Sequence, residues 1–138
     1  MRFMIVVKAN KDSEAGALPT QEQLAEMAKY NEELVKAGVL LAAEGLQASS
    51  KGARVRFPGA KRTVIDGPFT ETKELIAGFW LIQVRSKQEA IEWAKHVPFE
   101  DGEIEVRQVF ELEDFGAGEA VKHHAQLRDR IAKTSAKP

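Results

Sequence analysis

The residues with most chemistry to offer gather around one run, residues 64–74 ("VIDGPFTETKE"), which lies between two apolar stretches. An aspartate at the end of a strand ordinarily accepts a hydrogen bond from the amide two residues on, but after Asp66 that residue is Pro68, which has no N–H. The Asp66 carboxylate is then left to the Phe69 or Thr70 amide, as a loop acceptor, or to a substrate. Gly67 precedes the proline and is biased toward extended backbone, so its missing side chain serves close approach rather than a positive φ. Glu44 interrupts a second apolar run, residues 39–46. A carboxylate in a poorly solvated place needs a partner or a displaced pKa, and Arg54, Arg56 and Arg107 are available as partners. Two carboxylates sharing a cleft divide base and acid roles, because burial and mutual repulsion separate their proton affinities. On that reading Asp66 is the base and Glu44 or Glu74 the acid or orienting group. Arg107 holds an anionic or enolate oxygen, and Phe69 and Trp80 form apolar walls. The competing reading has the acids closing ion pairs and the "TETKE" charges simply solvated.

Other chemistries find little support. With no cysteine there is no disulfide framework, thiolate metal site or cysteine nucleophile. His96 falls on the flank of a helical pattern, where a C-terminal charge suits the helix dipole; His123 and His124 are adjacent and lack further ligands at metal spacing. There is no phosphate-binding glycine loop, G-x-S-x-G elbow or dinucleotide fingerprint, so neither a metal nor an organic cofactor is expected. Twenty Lys and Arg against 21 Asp and Glu, for a formal charge of −1, lack the electrostatic footprint of a nucleic-acid binder. No apolar run approaches the roughly 20 residues of a membrane helix, and residues 1–10 are strand-like rather than a signal peptide; the expectation is a cytoplasmic protein.

These side chains must be positioned by a small set of elements. Residues 3–7 ("FMIVV") are apolar at both parities and predict a strand buried on both faces. Thr20 and Gln23 make a capping box, and Leu24, Met27, Ala28, Leu34 and Val35 keep helical spacing up to Gly38. Residues 39–46 predict a second strand, and residues 54–57 and 63–65 a hairpin turning at Pro58 and Gly59. A two-sided strand follows at residues 79–84. Ser86 and Glu89 make another capping box, for a helix with Ala90, Ile91, Trp93, Ala94 and Val97 on one stripe. The last strand, residues 103–110, carries Glu105 and Arg107 on one face.

This order predicts a ferredoxin-like βαββαβ α+β sandwich with a hairpin insertion, both helices covering one sheet face. The other face keeps an apolar patch that a second subunit would cover, making a homodimer with the site between sheet and loop. Residues 1–114 form the domain. Residues 115–138 are a C-terminal extension: after "GAG", Ala120, His124, Leu127 and Ile131 repeat at helical spacing from 119 to 131, before a polar tail expected to fray.

Over residues 1–112 the chain resembles the YCII-related family, in its DGPF branch. The resemblance rests on "AEGLQ" at 43–47, "VIDGPFTETKE" at 64–74, "GFWLIQV" at 78–84, "EAIEWA" at 89–94 and "EIEVRQV" at 103–109. It implies a dimeric α/β barrel of two ferredoxin-like units. The matching positions are Glu44, Asp66, Gly67, Pro68, Phe69, Glu74 and Arg107. Another branch resembles enzymes with a histidine early in the first helix; residues 20–38 contain none, so histidine chemistry is not implied. The DGPF branch has largely been named by its sequence, and enzymes of related fold handle hydroxylated rings and lactones; the functional expectation is a cofactor-free enzyme moving protons on a small polar organic substrate. A non-catalytic ligand-binding or accessory protein and a purely structural dimer are the alternatives.

Overall fold

A computed structural model describes residues 1–135; the last three residues of the polar tail lie outside the described residues. Among the described residues there are six strands and four helices: β1 (Arg2–Lys8), α1 (Lys11–Glu14), α2 (Gln21–Lys36), β2 (Leu40–Gly45), β3 (Ala53–Arg56), β4 (Thr63–Asp66), β5 (Ile76–Gln83), α3 (Lys87–Lys95), β6 (Ile104–Gln108) and α4 (Glu119–Ser135). The chain divides into two units, Met1–Gln108 and Val109–Pro138.

In the first unit four strands form an antiparallel sheet in the order β2-β5-β1-β6, while β3 and β4 form a separate two-stranded sheet. Because β5 is antiparallel to both β1 and β2, those two run the same way with β5 between them; β5 and β6 likewise flank β1. This is an α+β protein built of two interleaved strand–helix–strand crossovers. The hairpin is inserted between β2 and β5.

Helix α2 starts where the capping box predicts: the Thr20 hydroxyl accepts from the Gln23 amide at 3.1 Å and the Gln23 side chain accepts from the Thr20 amide at 2.9 Å. Its C-terminus is followed by Gly38 at φ +73°, a left-handed position that favours glycine. The second box is only half made. Ser86 Oγ accepts from the Glu89 amide, but the Glu89 carboxylate turns to the amide of Arg85. The short α1 has its own reciprocal pair, Asn10 with Ser13.

Register separates the two faces of the sheet. Phe3, Ile5 and Val7 pair across to Ile82, Trp80 and Gly78, and this face packs with Tyr30, Leu34, Ala90 and Val97 in one core. Both helices therefore contribute to the same side. Phe3, Ile5, Leu34 and Ile82 are fully buried. Trp80 belongs here, 4% exposed, with its indole N–H donating to Asn31 Oδ1 at 2.7 Å and its ring edge-on to Tyr30. The apolar wall expected of Trp80 thus faces the helices rather than a substrate, because the two-residue period of β5 puts it in phase with Ile82.

Tyr30 donates its hydroxyl to the Trp93 carbonyl at 2.8 Å. Burial, with the nearby Glu33 charge, pushes its pKa up to about 12 from 10.0. The native state therefore holds this proton more tightly than the unfolded chain, and the stability it contributes is present below the unfolded pKa and lost as pH rises through the folded one. The unfolding free energy from urea melts should fall by roughly 2–3 kcal/mol between about pH 10 and 12 in wild type. Tyr30→Phe should lack that component while losing about 1 kcal/mol at neutral pH.

In the second unit a short turn, Leu112–Phe115, precedes α4. Phe110 and Phe115 pack with their rings tilted by 43° and centroids 4.9 Å apart, and Arg128 lies 3.9 Å from Glu111. Helix α4 continues four residues beyond the expected Ile131, so part of the tail expected to fray is helical.

Candidate active site

The loop after β4 is held by groups that sequence reading did not single out. Glu14, at the end of α1, accepts from the Ser49 amide at 3.0 Å through one oxygen and from the Ser49 hydroxyl through the other. Ser49 Oγ in turn accepts the Phe69 amide at 2.9 Å. The Gly67 amide donates to the Gly52 carbonyl at 3.0 Å, and the Gly67–Pro68 peptide bond is cis. A Cβ on Gly67 would stand 1.8 Å from the Ser49 carbonyl oxygen. The glycine thus serves close backbone approach, as its place before proline predicts. The Phe69 ring is covered by the Arg54 guanidinium at 3.8 Å, and Arg54 also reaches Glu71 at 3.5 Å.

This anchoring bears directly on Asp66. The Phe69 amide, one of the two donors available to an aspartate in this loop, is taken by Ser49. Asp66 is exposed, and among the described residues its carboxylate makes no hydrogen bond or ion pair. The loop is fixed without it.

The sheet face opposite the helices carries the remaining candidates. Glu44 on β2, Phe79 on β5, Val6 on β1 and Glu105 on β6 form one cross-strand row; Ala42, Leu81, Met4 and Arg107 form the next. With strands about 4.8 Å apart, Glu44 and Arg107 stand at opposite edges of the sheet, roughly 14 Å apart. They cannot pair within one chain. Glu105 instead bridges Lys8 and Arg107, each at 3.6 Å. Lys8, absent from the sequence candidates, is the less exposed of the two cations, because it closes the end of β1 while the Arg107 side chain is 76% exposed. Glu44 pairs with none of the three arginines considered for it, since Arg54 goes to Glu71 and Arg107 to Glu105.

Glu74 ends a 3₁₀ turn, Thr72–Glu74, with its side chain exposed. The three candidate carboxylates thus stand on three different elements, and no hydrogen bond or ion pair links them. Pro68 is exposed beside the half-buried Gly67 and Phe69. Among the described residues, a surface hollow lined by Glu33, Glu89, Trp93 and His96 and another lined by Val97, Phe99 and Ile104 include no candidate residue. His96 caps α3, and no cluster among the described residues has the makings of a metal site. Glu14 and Ser49 lie in sequence that reads as loop, and nothing local announces that a carboxylate 35 residues away will hold Ser49.

Fold and site together define a small α+β protein of two interleaved crossovers, with an inserted hairpin leading into an anchored loop that carries an unpartnered acid. The chain belongs to the YCII-related domain family, whose model matches residues 1–113. It is 32% identical over 89 residues to an uncharacterised protein of Rhizobium meliloti (strain 1021), an alignment covering 62% of this chain and 72% of the relative.

Proposed function

We propose that the protein is a DGPF-branch member of the family acting as a cofactor-free enzyme on a small polar organic substrate, with Asp66 as general base. The ferredoxin-like units pair as a homodimer, a dimeric α/β barrel in which the open sheet face of each copy is covered by the other. Glu44 or Glu74 supplies the acid or orienting group and Arg107 holds an anionic oxygen. Phe69 lines the approach, while Gly67 and Pro68 set the path of the loop. The observation carrying this reading is the unpartnered Asp66 carboxylate on a loop whose backbone is fixed by Glu14, Ser49 and Gly67. A carboxylate kept for loop structure would accept one of those amides.

The test is a thermal-shift panel of catechol, 4-hydroxybenzoate, γ-butyrolactone and succinate against wild type and Asp66→Asn, followed by product analysis of any compound that binds. Binding at a hundredfold excess over Kd stabilises by about 2.7 kcal/mol, a shift of several degrees. The expected result is a shift and turnover in wild type, both lost in Asp66→Asn at an unchanged unliganded Tm. Turnover preserved in Asp66→Asn removes Asp66 as base, and binding without any product favours a ligand-binding protein over an enzyme.

A further inference from the structure

Ser49 decides which acceptor the Phe69 amide meets, and Glu14 decides what Ser49 can do. One Glu14 oxygen accepts from the Ser49 amide at 3.0 Å and the other from the Ser49 hydroxyl. A carboxylate only accepts, so the single hydroxyl proton is committed to Glu14, and Ser49 Oγ meets the loop as an acceptor alone. It takes the Phe69 amide at 2.9 Å. The chain of hydrogen bonds therefore runs one way, from Phe69 through Ser49 to Glu14, and ends on a charge. The same amide is one that Asp66 would ordinarily accept, since Pro68 offers none. Ser49 and Asp66 are rival acceptors for one N–H.

The segment carrying Glu14 is lightly held. Helix α1 buries none of its residues, the amides of residues 14–17 donate within the segment itself, and Leu18 beyond them is 88% exposed. Few buried contacts and self-contained hydrogen bonds put such a segment among the first parts of a fold to open locally. Its tie to residues 48–52 is the Glu14 carboxylate, and the tie of the loop after β4 to the same stretch is Ser49 Oγ together with the Gly67 amide.

We infer that Glu14 is a positioning residue: by holding Ser49 as an acceptor it keeps the Phe69 amide away from Asp66. When residues 10–19 lift, the amide passes to Asp66 and the base is capped by its own loop. The segment is a strap that sets whether the Asp66 carboxylate is available. This rests on the reading of Asp66 given above and adds how that group is kept unpartnered.

Glu14→Gln isolates the effect. The side chain keeps its length and shape, but an amide group accepts at one end and donates at the other, so either the Ser49 amide or the Ser49 hydroxyl loses its acceptor. Amide hydrogen exchange, followed by NMR on the full chain, reads Phe69 directly. In the wild-type background Asp66→Ala should leave the Phe69 rate unchanged, because Ser49 holds that amide. In Glu14→Gln the rate should rise at least about threefold, and adding Asp66→Ala should raise it at least about tenfold more, because Asp66 has become the acceptor. Ser49→Ala, which removes the rival acceptor and leaves the strap residues unaltered, should show the same new dependence on Asp66. A purely structural brace would loosen the loop without creating that dependence. A Phe69 amide already sensitive to Asp66→Ala in wild type overturns the inference, as does one indifferent to Asp66→Ala in both Glu14→Gln and Ser49→Ala. The measurement needs no ligand. Turnover surviving in Asp66→Asn removes the base and leaves the exchange result standing, whereas a failed exchange test removes the strap and leaves the base.

Discussion

Gly67→Ala is expected to lower the unfolding midpoint by about 10 °C, corresponding to about 3 kcal/mol, the upper end of what overpacking costs. The new methyl would sit 1.8 Å from the Ser49 carbonyl oxygen and 2.6 Å from its carbon. The obstacle is backbone, and Ser49 is held in place by Glu14 through both its amide and its hydroxyl. Neither side yields without breaking a bond: moving Ser49 loosens it from Glu14, and moving the loop withdraws the Phe69 amide from Ser49 Oγ. Any panel compound that binds wild type through Asp66 should be lost as well. Gly59→Ala is the control. Gly59 has φ +70° but open space around its Cβ position, so that substitution should cost only about 1 kcal/mol and leave binding intact. Paired urea and thermal melts decide the matter, and equal losses in the two variants would mean that the Ser49–Gly67 contact is not what limits position 67.

Trp80→Ala should be the most damaging single core truncation tested, costing about 3–5 kcal/mol. The ring is 4% exposed, edge-on to Tyr30 at 5.3 Å and 6.4 Å from the Phe99 ring, so its removal leaves a cavity beneath both helices. It also strips Asn31 Oδ1 of its donor, adding the cost of an unsatisfied polar atom. Trp80→Phe retains most of the volume and loses the N–H, and should cost about 1–2 kcal/mol. Because Trp80 faces the helices, Trp80→Phe should bind panel compounds as wild type does. A selective loss of binding at unchanged stability would return Trp80 to the pocket wall expected from sequence. Urea midpoints read the effect, with an unchanged m-value showing that two-state unfolding is kept.

Much of the architecture could be read locally. Thr20 with Gln23 marked the start of α2 because the orphan amides of a first turn are satisfied within three residues. Residues 3–7 read as a central strand, and β1 does lie between β5 and β6, but the helices cover only its Phe3, Ile5 and Val7 side. Gly67 as a close-approach glycine was legible because proline restricts the residue before it. The capping box at Ser86 was only half right, since the amide of Arg85 competes for the Glu89 carboxylate.

The candidate site was less legible. Alternation alone cannot say which face of β5 meets the helices, and that choice moved Trp80 from wall to core. Ion pairing between Glu44 and an arginine was reasonable by charge, but strand order puts Arg107 at the far edge of the sheet and Arg54 beside Phe69 and Glu71. Strand order is set by which crossovers bury most apolar surface, a property of the whole sheet rather than of any segment.

The amino-acid order, taken alone, dictates where helices and strands begin, which family the chain resembles and that Asp66 lacks its usual turn amide, because these depend on neighbours within a few residues. Only the tertiary structure brings Glu14 to Ser49 and Ser49 to Phe69, across 35 and 20 residues, and leaves Asp66 on the open face of the hairpin. Contacts over such separations carry no local signature, since they arise when packing brings distant loops together and buried polar groups take whatever partners are then in reach.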